Sequence, residues 1–203
     1  MEYLVTMTTT VPDGTPDATV ADIRAREAAH SAELAAEGNL LRLWRPPLQP
    51  GQWRSIGLFA ALDDDDLEKV LASMPLRIWR SDDVRPLEPH PNDPEMPGRA
   101  PFATEYLITM TTIVPDGTPD SLVTETRQRE AVRARELAAG GHLMRLWGVS
   151  GSPGESRTIG VWSADDGAAM QAIVESLPLS RWMTAKSTPL TEHPSDPALT
   201  LHR

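Results

Sequence analysis

Cysteine is absent from this 203-residue chain. That excludes a disulfide framework, a thiolate metal site and a cysteine nucleophile. Basic residues are scarce: 19 Lys and Arg stand against 29 Asp and Glu, for a net charge of −10. The imbalance holds in both halves, with 17 acidic and 10 basic residues in 1–103 and 12 and 9 in the remainder. No basic stripe is present to neutralise phosphates, which argues against nucleic acid and against docking on anionic lipid. No apolar run approaches the roughly 18 residues needed to span a bilayer. The first residues lack a basic segment followed by an apolar one, so no secretory signal is read there and a soluble cytoplasmic protein is expected. A glycine-rich phosphate loop, a nucleophile elbow and a Ser-His-Asp arrangement are all missing. One histidine in each half, His90 and His193, sits in a His-Pro pair near Asp93 and Asp196. That spacing is poor for a metal, so both are read as surface turns and no metal is expected.

What is present is one unit written twice. Residues 2–94 reappear as 105–197 at a constant offset of 103, without a gap. EYLVTMTTTVPDGTPD becomes EYLITMTTIVPDGTPD, GNLLRLW becomes GHLMRLW, and SMPLRIW becomes SLPLSRW. A period of about 100 residues is too long for a solenoid repeat and suits a small domain. The expected organisation is a first domain over 1–94, a proline-rich linker over 95–103 and a second domain over 104–203. Such a fused pair stands in for a symmetric homodimer, with a cavity expected between the halves.

Within the first unit, Tyr3–Val11 reads as a strand closed by Pro12-Asp-Gly. Thr15-Pro16-Asp17 opens a helix that runs to about Glu37 and stops at Gly38. Leu40–Arg45 and Trp53–Ala61 alternate at period two and read as strands. Asp63–Met74 is a second helix, its acidic run lying at the N-terminus where negative charge is favourable. A last strand begins within Leu76–Asp82. The order β-α-β-β-α-β, given twice, is the ferredoxin-like unit, an antiparallel sheet with both helices on one face. The fold class is therefore α+β: two tandem ferredoxin-like domains forming an intramolecular pseudo-dimeric α+β barrel, with a space enclosed between the two bare sheet faces.

On the first helix, Val20, Ile23, Glu27, Ser31 and Leu34 fall along one line at about 100° per residue. Glu27 thus sits in the apolar stripe, as does Glu130 in the second copy. A carboxylate among apolar neighbours loses hydration, and its pKa rises toward the range useful for moving protons. The alternative is a glutamate paired with a nearby arginine that merely anchors the helix. On the next strand, alternation puts Leu41 and Leu43 on one face and Leu40, Arg42 and Trp44 on the other. Arg42, Trp44, Arg145 and Trp147 would then look into the enclosed space. An inward arginine needs an anion, either a ligand carboxylate or an internal glutamate.

The run AREAAHSAELAAEG, then LLRLWR, then MPL- or LPL- ahead of a tryptophan, then a His-Pro ending, resembles muconolactone isomerase-like proteins. The resemblance covers nearly all of each unit. It implies small ferredoxin-like chains that pair into dimeric α+β barrels, assemble further and work without cofactor, moving one proton along a conjugated system. By position, Glu27 and Glu130 match the family's helix carboxylate and would be the base. Arg42 and Arg145 could supply the cationic function, and Arg45 matches the arginine after the strand tryptophan, whereas the second copy has Gly148. The expected function is a cofactor-independent isomerase or cyclase shifting a proton on a small unsaturated lactone, carbonyl or carboxylate substrate, in a secondary pathway. A homo-oligomer of the two-domain chain is left open. The rival readings are a non-catalytic small-molecule-binding barrel and a cofactor-free oxygenase.

Overall fold

The computed structural model describes residues 1–95, 102 and 104–199. Apart from Glu95 and Phe102, the expected linker over 95–103 lies outside the described residues. The chain is α+β, with the βαββαβ order present twice. The first copy runs β1 (Glu2–Thr9), α1 (Asp17–Ala36), β2 (Leu40–Arg45), β3 (Arg54–Ala60), α2 (Asp64–Ser73), a 3-10 turn at Pro75–Trp79, and β4 (Arg80–Pro89). The second runs β5 (Thr104–Ile113), α3 (Asp120–Ala139), β6 (Leu143–Val149), β7 (Glu155–Ala164), α4 (Gly167–Glu175), a 3-10 turn at Pro178–Trp182, and β8 (Met183–Glu192). No helix among the described residues is long and apolar enough to cross a membrane.

The two compact units do not coincide with the two repeats. One unit comprises Met1–Leu87 with Thr191–Arg203, and the other Glu88–Leu190. In the first, β1 is central, flanked by antiparallel β4 and β3, and β2 lies beyond β3. The end of β8 then pairs with β2, Thr191 opposite Arg45 and Glu192 opposite Trp44. The second unit repeats this order, and Glu88 and Pro89 pair with Gly148 and Trp147 of β6. Each unit therefore carries the His-Pro tail that follows the other repeat's last strand. The cause is strand length. β4 and β8 have ten residues each, more than β1 or β5 needs as a partner.

The helix-covered face of the first sheet holds Tyr3, Val5, Met7, Leu40, Leu43 and Phe59, packed with Leu34, Leu67 and Leu71 from the helices. Leu40 and Leu43 share this face because of a register shift between Leu40 and Arg42, which adds a residue to β2. Simple alternation puts Leu40 with Arg42 and Trp44 instead. The same shift between Leu143 and Arg145 brings Leu143 and Leu146 together in the second core.

Helix α1 begins one residue later than its proline suggests. The Thr15 hydroxyl donates to the Pro12 carbonyl at 2.7 Å, closing the turn, and Pro16 caps the helix without a side-chain bond. The helix ends before Gly38, whose φ of +80° is costly for any residue with a Cβ. In α2 the Asp63 side chain accepts from the Asp66 N–H at 2.9 Å, so part of the acidic run is a cap. Between α2 and β4, Pro75–Trp79 is a 3-10 turn rather than the start of a strand. Its first N–H groups have no partner within the turn, and one of them serves the site below.

Candidate active site

Both helix glutamates turn toward the helix-covered face of their own sheet. Each is held by the 3-10 turn of its own unit: Glu27 Oε2 accepts from Leu76 N–H at 2.8 Å, and Glu130 Oε2 from Leu179 N–H at 2.9 Å. Each lines a cavity bounded by helix, sheet and the crossing His-Pro tail. The hollow that each glutamate lines is thus on the helix side of its own sheet. The physical reason is direct: a residue in the stripe that packs α1 on its sheet cannot reach the sheet's far side.

The two cavities differ in size and charge. That of the second unit has a volume of about 570 Å³, and that of the first about 150 Å³. Three exchanges account for this: Trp53, Arg45 and Arg80 in the first unit become Ser156, Gly148 and Met183 in the second. The larger cavity is walled by Met110, Leu146, Trp162, Leu177 and Met183, with hydroxyls from Thr112, Thr124 and Thr158. Trp162 lies over Gly160, where a Cβ would come within 2.5 Å of the indole nitrogen.

The glutamates differ accordingly. Burial raises the Glu130 carboxyl above the ordinary carboxylate range, opposed by the Leu179 N–H. Among the described residues Glu130 has no ion pair. Burial likewise raises Glu27, but the Leu76 N–H, Arg80 and His30 pull it back, while Asp82 pushes it up. Arg80 Nη1 lies 3.3 Å from Glu27 Oε1, and both side chains are largely buried, 2% and 13% exposed. Arg80 Nη2 also donates to Asp82 Oδ2 at 3.1 Å, and Arg77 bridges Asp82 and Glu68. The second unit cannot build this network, because Met183, Ala185, Ser180 and Gln171 occupy the corresponding positions.

His90 and His193 are not surface turns. His90 lines the second unit's cavity and His193 the first. His90 Nδ1 accepts from Asn92 N–H at 3.1 Å, and His193 Nδ1 from Ser195 N–H at 3.1 Å. A ring whose Nδ1 is an acceptor carries its proton on Nε2, so each is a neutral donor. Burial lowers the pKa of His90, against an upward pull from Asp93. His193 falls to about 4, through burial and then the nearby Arg45 and Arg24.

The strand arginines are engaged elsewhere. Arg42 Nε and Nη2 each donate to Asp196 at 3.1 Å, and Arg145 Nε and Nη2 to Asp93 at 3.2 Å. Asp196 Oδ1 also accepts from Leu43 N–H and Asp93 Oδ1 from Leu146 N–H, at 3.1 and 3.0 Å. Their guanidinium groups stack on Trp44 and Trp147 at 4.7 and 4.6 Å. Arg42, Trp44, Arg145 and Trp147, expected to face the ligand, therefore latch the crossing tail to its strand. The aspartate after each His-Pro is thus a carboxylate partner of these arginines. Of the expected strand cations, Arg45 does line a cavity, that of the first unit. Sequence reasoning missed Arg24 and Arg127, which line the two cavities from α1 and α3. The signal for the tail was the retention of His-Pro and its aspartate in both copies, which simple turns do not require.

Comparison with known proteins agrees with the repeat. The family model for muconolactone delta-isomerase matches twice, over residues 1–93 and 104–196. A muconolactone delta-isomerase of Cupriavidus pinatubonensis is 34% identical over 92 residues, 45% of this chain and 97% of that protein. Muconolactone delta-isomerase 1 of Acinetobacter lwoffii is 29% identical over 92 residues, 45% of this chain and 93% of that protein. Among solved structures, a heme-binding protein of Thermus thermophilus covers all of this chain and 95% of its own, with a TM-score of 0.60 at 14% identity. That likeness concerns the fold alone. With the family's model spanning both repeats, this chain belongs to the muconolactone delta-isomerase family.

Proposed function

We propose that this chain is a cofactor-independent isomerase that shifts a proton on a small unsaturated substrate bearing a lactone or other carbonyl, and that the chemistry belongs to the second unit. The supporting observation is Glu130: a desolvated carboxylate, without an ion-pair partner among the described residues, lining a mostly apolar cavity of about 570 Å³. In the first unit the matching Glu27 is paired with Arg80 in a smaller cavity.

The chemistry needs three things. A base must take the acidic proton from one end of the conjugated system, the carbon α to the carbonyl in a β,γ-unsaturated substrate or γ to it in a conjugated one. A carboxyl with a raised pKa does this near neutral pH and returns it readily. The electron pair left behind spreads over the conjugated system and gathers on the carbonyl oxygen. Donors must meet that oxygen, and the neutral His90 and Arg127 line the same cavity. Water must be scarce, and the apolar walls supply that. Glu130 then delivers its proton to the far carbon of the conjugated system, so the double bond moves and the product is an isomer. Family membership supports the isomerase class.

The test is exchange in D₂O. Enol-lactones and conjugated enones, muconolactone among them, are incubated with wild-type, Glu130→Gln and Glu27→Gln proteins and followed by NMR. Deuterium entry and double-bond migration are expected with wild type. Both should drop by about 10² to 10⁴ in Glu130→Gln. Equal rates in wild type and Glu130→Gln would refute the assignment.

A further inference from the structure

The first unit's cavity is more than a shrunken copy of the second. Among the described residues its one lining acid is Glu27, which is already taken by Arg80 and the Leu76 N–H. Two further arginines, Arg24 from α1 and Arg45 from the end of β2, line the same space. Neither has an ion-pair partner among the described residues. Arg24, on the exposed side of the cavity, has its guanidinium 5.3 Å over the Trp53 ring. The crossing tail adds His193, whose Nδ1 accepts from Ser195 N–H, leaving Nε2–H as a neutral donor. The remaining wall is apolar, from Met7, Leu43, Met74 and Leu76.

We propose that the first unit's cavity is a second, separate binding site for the carboxylate of a small organic acid, held by Arg24, Arg45 and His193. Two uncompensated guanidinium groups beside a low-dielectric wall favour an anion, and their planar forks match a carboxylate. The apolar floor favours an organic body over a bare inorganic ion. Both arginines oppose the charged form of His193, which places positive potential where that ring points. The second unit keeps counterparts of Arg24 and His193, in Arg127 and His90, but has Gly148 in place of Arg45 and Ser156 in place of Trp53. The two cavities therefore differ in ligand as well as in chemistry. The first binds acids without turning them over, because Glu27 is tied to Arg80.

Titration calorimetry with benzoate tests this, with benzamide and inorganic phosphate as comparators. Arg45→Gly is a mild variant, since glycine occupies the matching place in the second unit, and Arg24→Gln is an independent one. Saturable benzoate binding is expected in wild type, weakened about tenfold or more by either variant. Benzamide and phosphate should bind at least tenfold more weakly. NMR titration of the His193 ring should show its pKa rising when benzoate is bound, because the anion offsets the two arginines. Glu130→Gln should leave benzoate binding unchanged, so a failed proton-shift assignment and a failed acid site give different results. Absence of saturable benzoate binding, unchanged affinity in both arginine variants, or phosphate binding as well as benzoate would overturn the proposal.

Discussion

Asp196→Ala isolates the tail latch. In the folded chain Asp196 is 3% exposed, and its carboxylate meets two donors of Arg42 and the Leu43 N–H. Removing it takes the Asp196 carboxylate from the Arg42 guanidinium, whose side chain is only 11% exposed, and leaves the Leu43 N–H without that acceptor. Removing one side of such a buried pair costs about 3–5 kcal/mol. At roughly 2–4 °C per kcal/mol for a chain of this size, the melting temperature should fall by about 6–20 °C. Asp93→Ala should fall toward the low end, because Arg145 and Asp93 are more exposed, at 19% and 9%. The double variant Arg42→Met with Asp196→Leu should lose less than Asp196→Ala, since both charges of the pair are removed together. Thermal unfolding followed by circular dichroism measures all three. A loss under about 1 kcal/mol for Asp196→Ala would place this pair with ordinary surface ion pairs and refute the latch.

Three further outcomes follow from the unequal sites. Met183→Arg places a cation where the first unit has Arg80. It should pair with Glu130, cut turnover by about tenfold or more, and move the acid limb of the rate–pH profile to lower pH. An unmoved limb would show that the new cation does not reach the base. Because the folded pKa of Glu130 is raised, its ionisation opposes folding as pH climbs through that value. Glu130→Gln should therefore be more stable than wild type at pH 7 and no more stable below about pH 4, by denaturation across pH. His193 has the opposite sign, its folded pKa depressed to about 4 from 6.5. Its contribution is intact above about pH 6.5 and lost as pH falls toward 4, on the order of 3 kcal/mol in all. His193→Asn should remove most of that slope.

The sequence was most legible where local rules decide. The repeat, the element order and the position of Glu27 and Glu130 in the helix stripe all rest on short-range periodicity. What escaped depends on long-range contacts. Strand alternation does not anticipate the extra residue between Leu40 and Arg42, which sets which side chains of β2 face the helices. Nor does it show that the His-Pro tails cross, since that depends on how far β4 and β8 extend beyond their partners. The local pattern consequently points to α1 for a partner of Arg42, whereas Arg42 binds Asp196, 154 positions away. The inequality of the sites was readable at Arg45 and Gly148. Its larger cause, Arg80 against Met183, becomes meaningful only once Arg80 is seen against Glu27.

The most direct measurement compares single-glutamate variants on one substrate that wild type isomerises. The initial rate of double-bond migration is followed by NMR in D₂O, with folding verified by circular dichroism. Glu130→Gln should lose about 10² to 10⁴ of the rate, while Glu27→Gln should stay within a few-fold of wild type. Loss of turnover with Glu27→Gln alone, or full activity with Glu130→Gln, would contradict the assignment of the chemistry to the second unit.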